Sequence, residues 1–439
     1  MLTDGRARAI AAVAVAILLA YALVWARVPA LDIGRSDFTS TYVGATLLRD
    51  GQRDHLYDES AQSPLHSRLI APDTEGNLPF VDAPLAAALA APVTLLGLDA
   101  AYRVWGLLQL ALLIGAVVVA ARAAPWPVGA GRGTRVAACA MALAGAGTLV
   151  GLLQAQWGGV SAFGLALAYH EWRHGREARG AAVLVAAAAV AKPHLALGLL
   201  AFMLGWGRRR MILGALAAAL ATGAATLAVA GPAGLAHFVT FAVQSNTRWE
   251  LRTFVSFVGI PGSFLGNSGA AQVAGAVGSV VALAGAVYLG RVVRHRRERL
   301  EPALAGAAVL SILAAPHAGI HDLVLLAPAM VWSVAWAWPA GAADAETRRT
   351  LVVTALWAGV TLSAFVSLGD NAATPPGQLV PWVLVVAAVL AIRAARAARP
   401  AGHPLTSRRD AAAVGAMAHD VRGHGRLGGA GLFSLQRRG

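Results

Sequence analysis

Apolar runs of about 20 residues recur along the whole chain, separated by short segments in which arginine is the commonest charged residue. A bilayer core about 30 Å thick is spanned by about 20 helical residues, so this rhythm predicts an all-α polytopic membrane protein. The spans fall near 8–28, 101–122, 135–153, 158–172, the pair 180–191 and 194–207, then 211–231, 271–291, 302–315, 321–338, 350–368 and 379–397. That gives about 12 crossings, counting the pair as two.

Composition agrees with this pattern. Hydrophobic residues make up 57% of the 439 positions, charged residues 13%, and the mean hydropathy is +0.61. The net charge of +14 would suit a nucleic-acid partner, but the arginines lie in clusters between apolar runs and read as topology determinants instead. Arg122, Arg132 and Arg135, then Arg173, Arg176 and Arg179, then Arg208 to Arg210, Arg291 to Arg299, and Arg348 with Arg349 mark inner loops. Both termini are then cytoplasmic and the protein sits in the cell membrane. The first segment follows Arg6 and Arg8 as an uncleaved signal anchor. The long segment 29–82 becomes a large first extracytoplasmic loop, carrying four arginines against nine carboxylates. Residues 1–398 form the transmembrane domain, and the Arg/Gly-rich stretch 399–439 reads as a disordered cytoplasmic tail lying against anionic lipid. The single cysteine, Cys139, lies in an apolar run and excludes an internal disulfide.

One interval forces a more specific expectation. Arg179 and Arg208 both belong inside, yet two full crossings need about 40 residues, more than the interval holds. Two half-length helices meeting at Lys192-Pro193 resolve this, because proline breaks the helix and the freed backbone groups need a protein-lined or watered cavity. Lys192 is the only lysine among 36 basic residues. A compact ammonium does what a guanidinium does not, and a charge at membrane depth marks a functional site. The alternative is compositional drift with the side chain snorkelling to an interface.

With this topology the unusual polar residues gather on the outer side. Asp37 opens Asp37-Phe38-Thr39-Ser40-Thr41-Tyr42; His55, Tyr57 and Asp58 follow; Gln154 and Gln156 end a span before a Gly158-Gly159 turn; Pro316, His317, His321 and Asp322 form a polar knot. Each has a plainer reading: a carboxylate in a polar loop is usually solvated, and paired glutamines often join helices. His317 and His321, four apart, suit a metal, a phosphate or proton, or a structural role. Together they have a chemical reading. A carboxylate deprotonates a sugar hydroxyl as general base, while lysine, histidine and amide donors hold a phosphate as it departs.

Asp37-Phe38 with Tyr42, Ala45, Leu47, Gly51 and Leu56-Tyr57-Asp58 resembles the first outer loop of the GT-C glycosyltransferases of family 87, which use polyprenyl-phosphate donors. The mycobacterial phosphatidylinositol-mannoside α-1,2-mannosyltransferases belong to that family. Further resemblance follows in order at Phe80 to Leu85, Gln156, Ala191-Lys192-Pro193 and Pro316-His317 through His321-Asp322-Leu323, covering roughly residues 8 to 395. It implies a GT-C fold and an inverting transfer, most simply of mannose into an α-1,2 linkage on a glycolipid or other envelope glycan. Asp37 is then the catalytic base; Lys192, His317 and His321 bind the donor phosphate; Tyr42, Tyr57, Asp58, Gln156 and Asp322 contact substrate. No cofactor or nucleic-acid partner is implied, and a divalent metal is not favoured; the partners are membrane lipids, the polyprenyl-phosphate sugar and the acceptor. One departure stands out: the family often has Tyr-Pro-Pro where this chain has Asp82-Ala83-Pro84, which adds a second carboxylate. Competing readings are a polytopic transporter or lipid-linked-sugar flippase, for which a broken helix is also suited, and a non-catalytic envelope scaffold.

Overall fold

The structure, a computed structural model, describes residues 4–71, 78–245, 249–338, 344–368 and 375–397. The expected tail 399–439 lies outside the described residues. The described chain is helical without a strand, in the order α1 (Asp4–Ala26), α2 (Ala30–Gly34), α3 (Asp37–Arg49), α4 (Glu59–Ile70), α5 (Pro84–Ala90), α6 (Leu98–Ala123), α7 (Arg132–Leu143), α8 (Ala146–Gln154), α9 (Gly158–Arg173), α10 (Glu177–Val190), α11 (Leu197–Trp206), α12 (Arg209–Ser245), α13 (Gly259–Leu265), α14 (Gly269–His295), α15 (Leu300–Ala314), α16 (Leu326–Ala337), α17 (Asp344–Val366) and α18 (Val380–Arg396).

This is a multi-pass membrane protein. Among the described residues six helices are long and apolar enough to cross a bilayer, or seven if the bent pair α7–α8 counts as one span. Those two meet at 49° rather than forming one straight span over 135–153. Among the shorter helices, α9, α11, α15 and α16 are mostly interior. α15, with 15 residues, is buried along its whole length, so other helices and not lipid surround it.

The helix expected to break at Lys192-Pro193 does so. α10 ends at Val190, Lys192 leaves the helical region (φ −141°, ψ 86°), and a 3-10 turn Pro193–Ala196 leads into α11. The backbone groups freed by the break are met by one hydroxyl on α15. Ser311 Oγ donates to Leu195 O at 2.6 Å and accepts from the Gly198 N–H at 2.9 Å. A break at this depth is tolerated because protein polar groups replace the lost ladder.

Three segments depart from the sequence reading. The large first loop, 29–82, is built largely of short helices, α2 to α4. The segment between spans near 231–271 is not simply a loop, since α12 resumes after a kink at Gly231 (φ 68°) and carries Phe238 and Phe241 onto Tyr57. The turn expected at Gly158-Gly159 falls instead at Ala155 (φ 45°), and the two glycines open α9. Their role is close approach: a Cβ on Gly159 would lie 2.3 Å from the Gln109 carbonyl of α6.

The arginine clusters collect at one end of the bundle. Tyr169 Oη and Arg173 meet buried Glu301 at 2.9 and 3.5 Å, Arg297 and Arg208 meet Glu177 at 2.6 and 3.8 Å, and Arg296 donates to the Arg396 carbonyl. These pairs link the C-terminal ends of α9, α14 and α18 and the N-terminal ends of α10, α12 and α15 with one another. Gln156, Lys192 and His317 adjoin the opposite ends of α9, α10 and α15, roughly 20 Å away at 1.5 Å per helical residue.

Apolar side chains gain nothing by leaving lipid for one another, so close packing through small residues holds such helices together. α11 and α14 touch backbone to backbone: a Cβ on Gly290 would lie 2.0 Å from Phe202 O, and one on Gly205 2.0 Å from Val287 O. Gly290→Val therefore separates the two helices and costs about 1–3 kcal/mol, read as a lowered melting temperature in detergent. Val280→Leu, on the exposed face of α14, leaves the melt unchanged.

Candidate functional site

The chain enters α3 through a fixed corner. Ser36 Oγ and Thr39 Oγ1 both donate to Ile33 O, at 2.7 and 2.8 Å, which places Asp37 as the first residue of the helix. Two amides from the α8–α9 turn hold it. Gln154 Oε1 accepts the Asp37 backbone N–H at 2.9 Å, and Gln156 Nε2 donates to Asp37 Oδ2 at 2.5 Å. The left-handed residue Ala155 between them turns the chain so that both side chains reach the same aspartate.

Asp82 is positioned with comparable care. Gly44 on α3 lets the Phe80 ring press against the helix, where a Cβ would lie 2.5 Å from the ring. The Phe80 N–H donates to Gln62 Oε1 at 2.7 Å, Tyr57 Oη donates to Asp82 O at 2.7 Å, and Thr41 Oγ1 donates to Asp82 Oδ2 at 3.1 Å. Burial pushes the Asp82 carboxyl up to about 6, and the negative Asp37 adds to this; the Lys192 ammonium and the Thr41 hydroxyl pull the other way.

Opposite stands a basic wall. Lys192 Nζ donates to Asp322 Oδ1 at 2.7 Å, both side chains being under 10% exposed. Asp322 Oδ2 accepts the Gly319 N–H at 2.9 Å and faces His321 Nε2 at 3.3 Å. The rings of His194 and His317 lie 4.0 Å apart. Burial, reinforced by the Lys192 charge, drives the His317 imidazole down to about 4, so it is neutral at pH 7 and donates from one nitrogen only.

These walls enclose one cavity of about 320 Å³. Of the residues expected at the site, Asp37, Gln156, Lys192, His317, His321 and Asp322 all line it. Asp322 is buried behind Lys192 and His321, so it orients them. Tyr42, Tyr57 and Asp58, expected to contact substrate, are not part of the lining and instead brace the surrounding chain. Tyr42 Oη donates to Leu96 O at 2.9 Å, Tyr57 holds the Asp82 backbone, and Asp58 caps α4. Hydrogen bonds from Ser60 lower the Asp58 carboxyl below its ordinary range. Two ionisable lining residues, Asp82 and His194, were not among the expected site residues. Asp82 was visible in sequence only as a carboxylate where the family often has tyrosine, and His194 only as the second residue past the lone lysine. Among the described residues, no three His, Cys, Asp or Glu side chains group so as to hold a metal ion.

A sequence profile of glycosyltransferase family 87 matches residues 80–316, just over half of the chain. The match takes in Asp82, Gln156, Lys192 and His194. No curated protein and no solved structure matches.

Two outcomes follow from the electrostatics. Lys192→Met leaves Asp322 buried without its cation and destabilises the protein by about 3–5 kcal/mol, whereas Lys192→Met with Asp322→Leu recovers most of that; detergent melts of the three proteins check it. For Asp82, the folded state holds a proton that the unfolded chain releases between about pH 4 and 6, so its contribution to stability falls as pH rises through that window. Asp82→Asn removes the cost and raises the melting temperature at pH 7.5, by roughly 1–3 kcal/mol of stability, but not at pH 4.

Proposed function

The chain belongs to glycosyltransferase family 87 and is a glycosyltransferase, and from that premise we propose that it moves a sugar from a polyprenyl-phosphate donor to a glycolipid or other envelope glycan on the extracytoplasmic side of the cell membrane. Family membership favours the transferase over a transporter or flippase. The donor sugar in this reading is mannose, the product linkage α-1,2, and the configuration at the transferred carbon inverts. The observation that carries the reading is one cavity with a clamped carboxylate on one wall and a cation with three histidines on the other.

Asp37 is the general base. The acceptor hydroxyl donates to its carboxylate and attacks C1 of the donor sugar as the bond from C1 to the phosphate oxygen breaks. The proton passes to Asp37 and the bonding pair leaves with the phosphate. Gln156 fixes the direction of the carboxylate, so little reorientation is needed when the proton moves.

The leaving group changes from a phosphodiester monoanion toward a phosphomonoester dianion, so its charge grows during the step. Groups that meet developing charge rather than ground-state charge lower the barrier. Lys192, held in place by Asp322, supplies a fixed positive charge there, and His317 and His321 supply N–H donors. Orientation follows from the charge distribution: the site lies at the bundle end away from the arginine clusters, the end that the positive-inside rule puts outside the cytoplasm.

The test is transfer from a radiolabelled polyprenyl-phosphate mannose by the purified protein in nanodiscs. Asp37→Asn is expected to lower the rate about 10²–10⁴-fold without unfolding the protein. Transfer by this variant at the wild-type rate would remove Asp37 as the base. Transfer from a glucosyl or arabinosyl lipid but not from the mannosyl lipid would reassign the sugar.

A further inference from the structure

Of the three carboxylates that line the cavity, Asp37 serves as base and Asp322 holds Lys192, which leaves Asp82 without a part in the transfer. Asp82 is built as firmly as Asp37. Its backbone is pinned by Tyr57, the residue two before it by Gln62 and by the gap at Gly44, and its carboxylate by Thr41, one helical turn beyond Asp37 on α3. That many constraints on three residues of an otherwise irregular segment fix a side chain where a ligand sits. Thr41 occupies one of about four acceptor sites on the carboxylate, which leaves capacity toward the cavity.

Charge narrows what Asp82 can meet. An anion repels the donor phosphate, whose cation and N–H donors come from Lys192, His317 and His321 on the other wall. Asp82 shares the lining of one cavity with Lys192 on the phosphate side and with the base Asp37, and it feels the charge of both. In the transfer geometry the sugar being transferred occupies that interval, bonded to the phosphate at one face and attacked from the other. Phe238, Trp249 and Phe254 line the same cavity. Aromatic faces take the C–H surface of a sugar ring, and a carboxylate takes its hydroxyls.

We propose that Asp82 accepts a hydrogen bond from a hydroxyl of the donor's sugar ring and thereby makes the site prefer a glycosylated lipid phosphate over a bare one. The proposal rests on the donor reading above. Asp82 makes or breaks no covalent bond; it is a sugar-selecting contact.

The experiment compares binding of polyprenyl phosphate, bare and carrying mannose, glucose or arabinose, to the full-length protein in nanodiscs by native mass spectrometry, for wild type and Asp82→Asn. Asparagine keeps the size of the side chain and an acceptor for Thr41, and a cooperative melt confirms that the variant is folded. The wild type should prefer at least one glycosylated lipid over the bare one. In Asp82→Asn the preferred glycosylated lipid should bind about 10–100-fold more weakly, the range of a hydrogen bond to a charged group, while the bare lipid, relieved of repulsion, binds at least as tightly as before; a preference lost only through tighter binding of the bare lipid overturns the assignment. An unchanged preference overturns the assignment, as does an equal loss of bare and glycosylated lipid, which would mean a distorted site. A wild type that binds glycosylated and bare lipids alike overturns it too, leaving the donor-phosphate reading standing. Wild type binding none of the lipids sinks the donor reading and this inference together.

Discussion

The buried pair of Lys192 and Asp322 is the constraint from which the site is arranged. Two charges withdrawn from water are costly, and attraction offsets the cost only when geometry is good and the remaining donors and acceptors are filled. Here the contact is close, at 2.7 Å, and the Gly319 N–H and His321 fill the rest of the Asp322 carboxylate. The pair ties the break between α10 and α11 to the turn that opens α16. Because that turn also carries His317 and His321, the phosphate-facing groups are placed by the same contact that makes the broken helix tolerable. Ser311 completes the arrangement from α15 by serving the backbone groups that the break sets free.

Around this anchor the cavity separates its charges by chain origin. The carboxylates Asp37 and Asp82 come from α3 and the segment before α5, and the basic groups from the two breaks at 191–194 and 316–322, where Asp322 is taken up by Lys192. Asp37 and Gln156 join the two sets through the α8–α9 turn. This segregation suits a substrate that is anionic at one end and rich in hydroxyls at the other. It also explains the cost borne by Asp82, which is held among partly buried groups near a like charge and is only partly relieved by Lys192.

Much of the plan was legible in the chain itself because membrane depth leaves few alternatives. The distance between Arg179 and Arg208 was too short for two crossings, and the lone lysine beside a proline marked where the break had to fall. The polar residues that converge in the structure, Asp37, Gln156, Lys192, His317, His321 and Asp322, stood out because polar side chains near apolar runs need a reason. The reading failed where tertiary contact decides. Tyr57 and Asp58 sit in a polar loop whose composition does not tell a wall residue from a brace. The second half of α12 follows Gly231-Pro232, which reads as a stop, yet packing of Phe238 and Phe241 on Tyr57 restores the helix. Gly158-Gly159 has the signature of a turn but is spent on contact with α6 and with Val324, which no local pattern reveals.

The span of sequence across which the site is closed has a consequence for how the protein comes into being. Asp37 is held by residues more than a hundred positions later, and Lys192 finds Asp322 a further 130 residues along. During synthesis the first carboxylate therefore enters the membrane surroundings long before its clamp, and the lysine waits uncompensated until the turn at 316–322 emerges. The site is finished late and as a unit, so a chain truncated before that turn is left with an unmatched charge at membrane depth, a state suited to recognition by membrane quality control rather than to slow, partial activity.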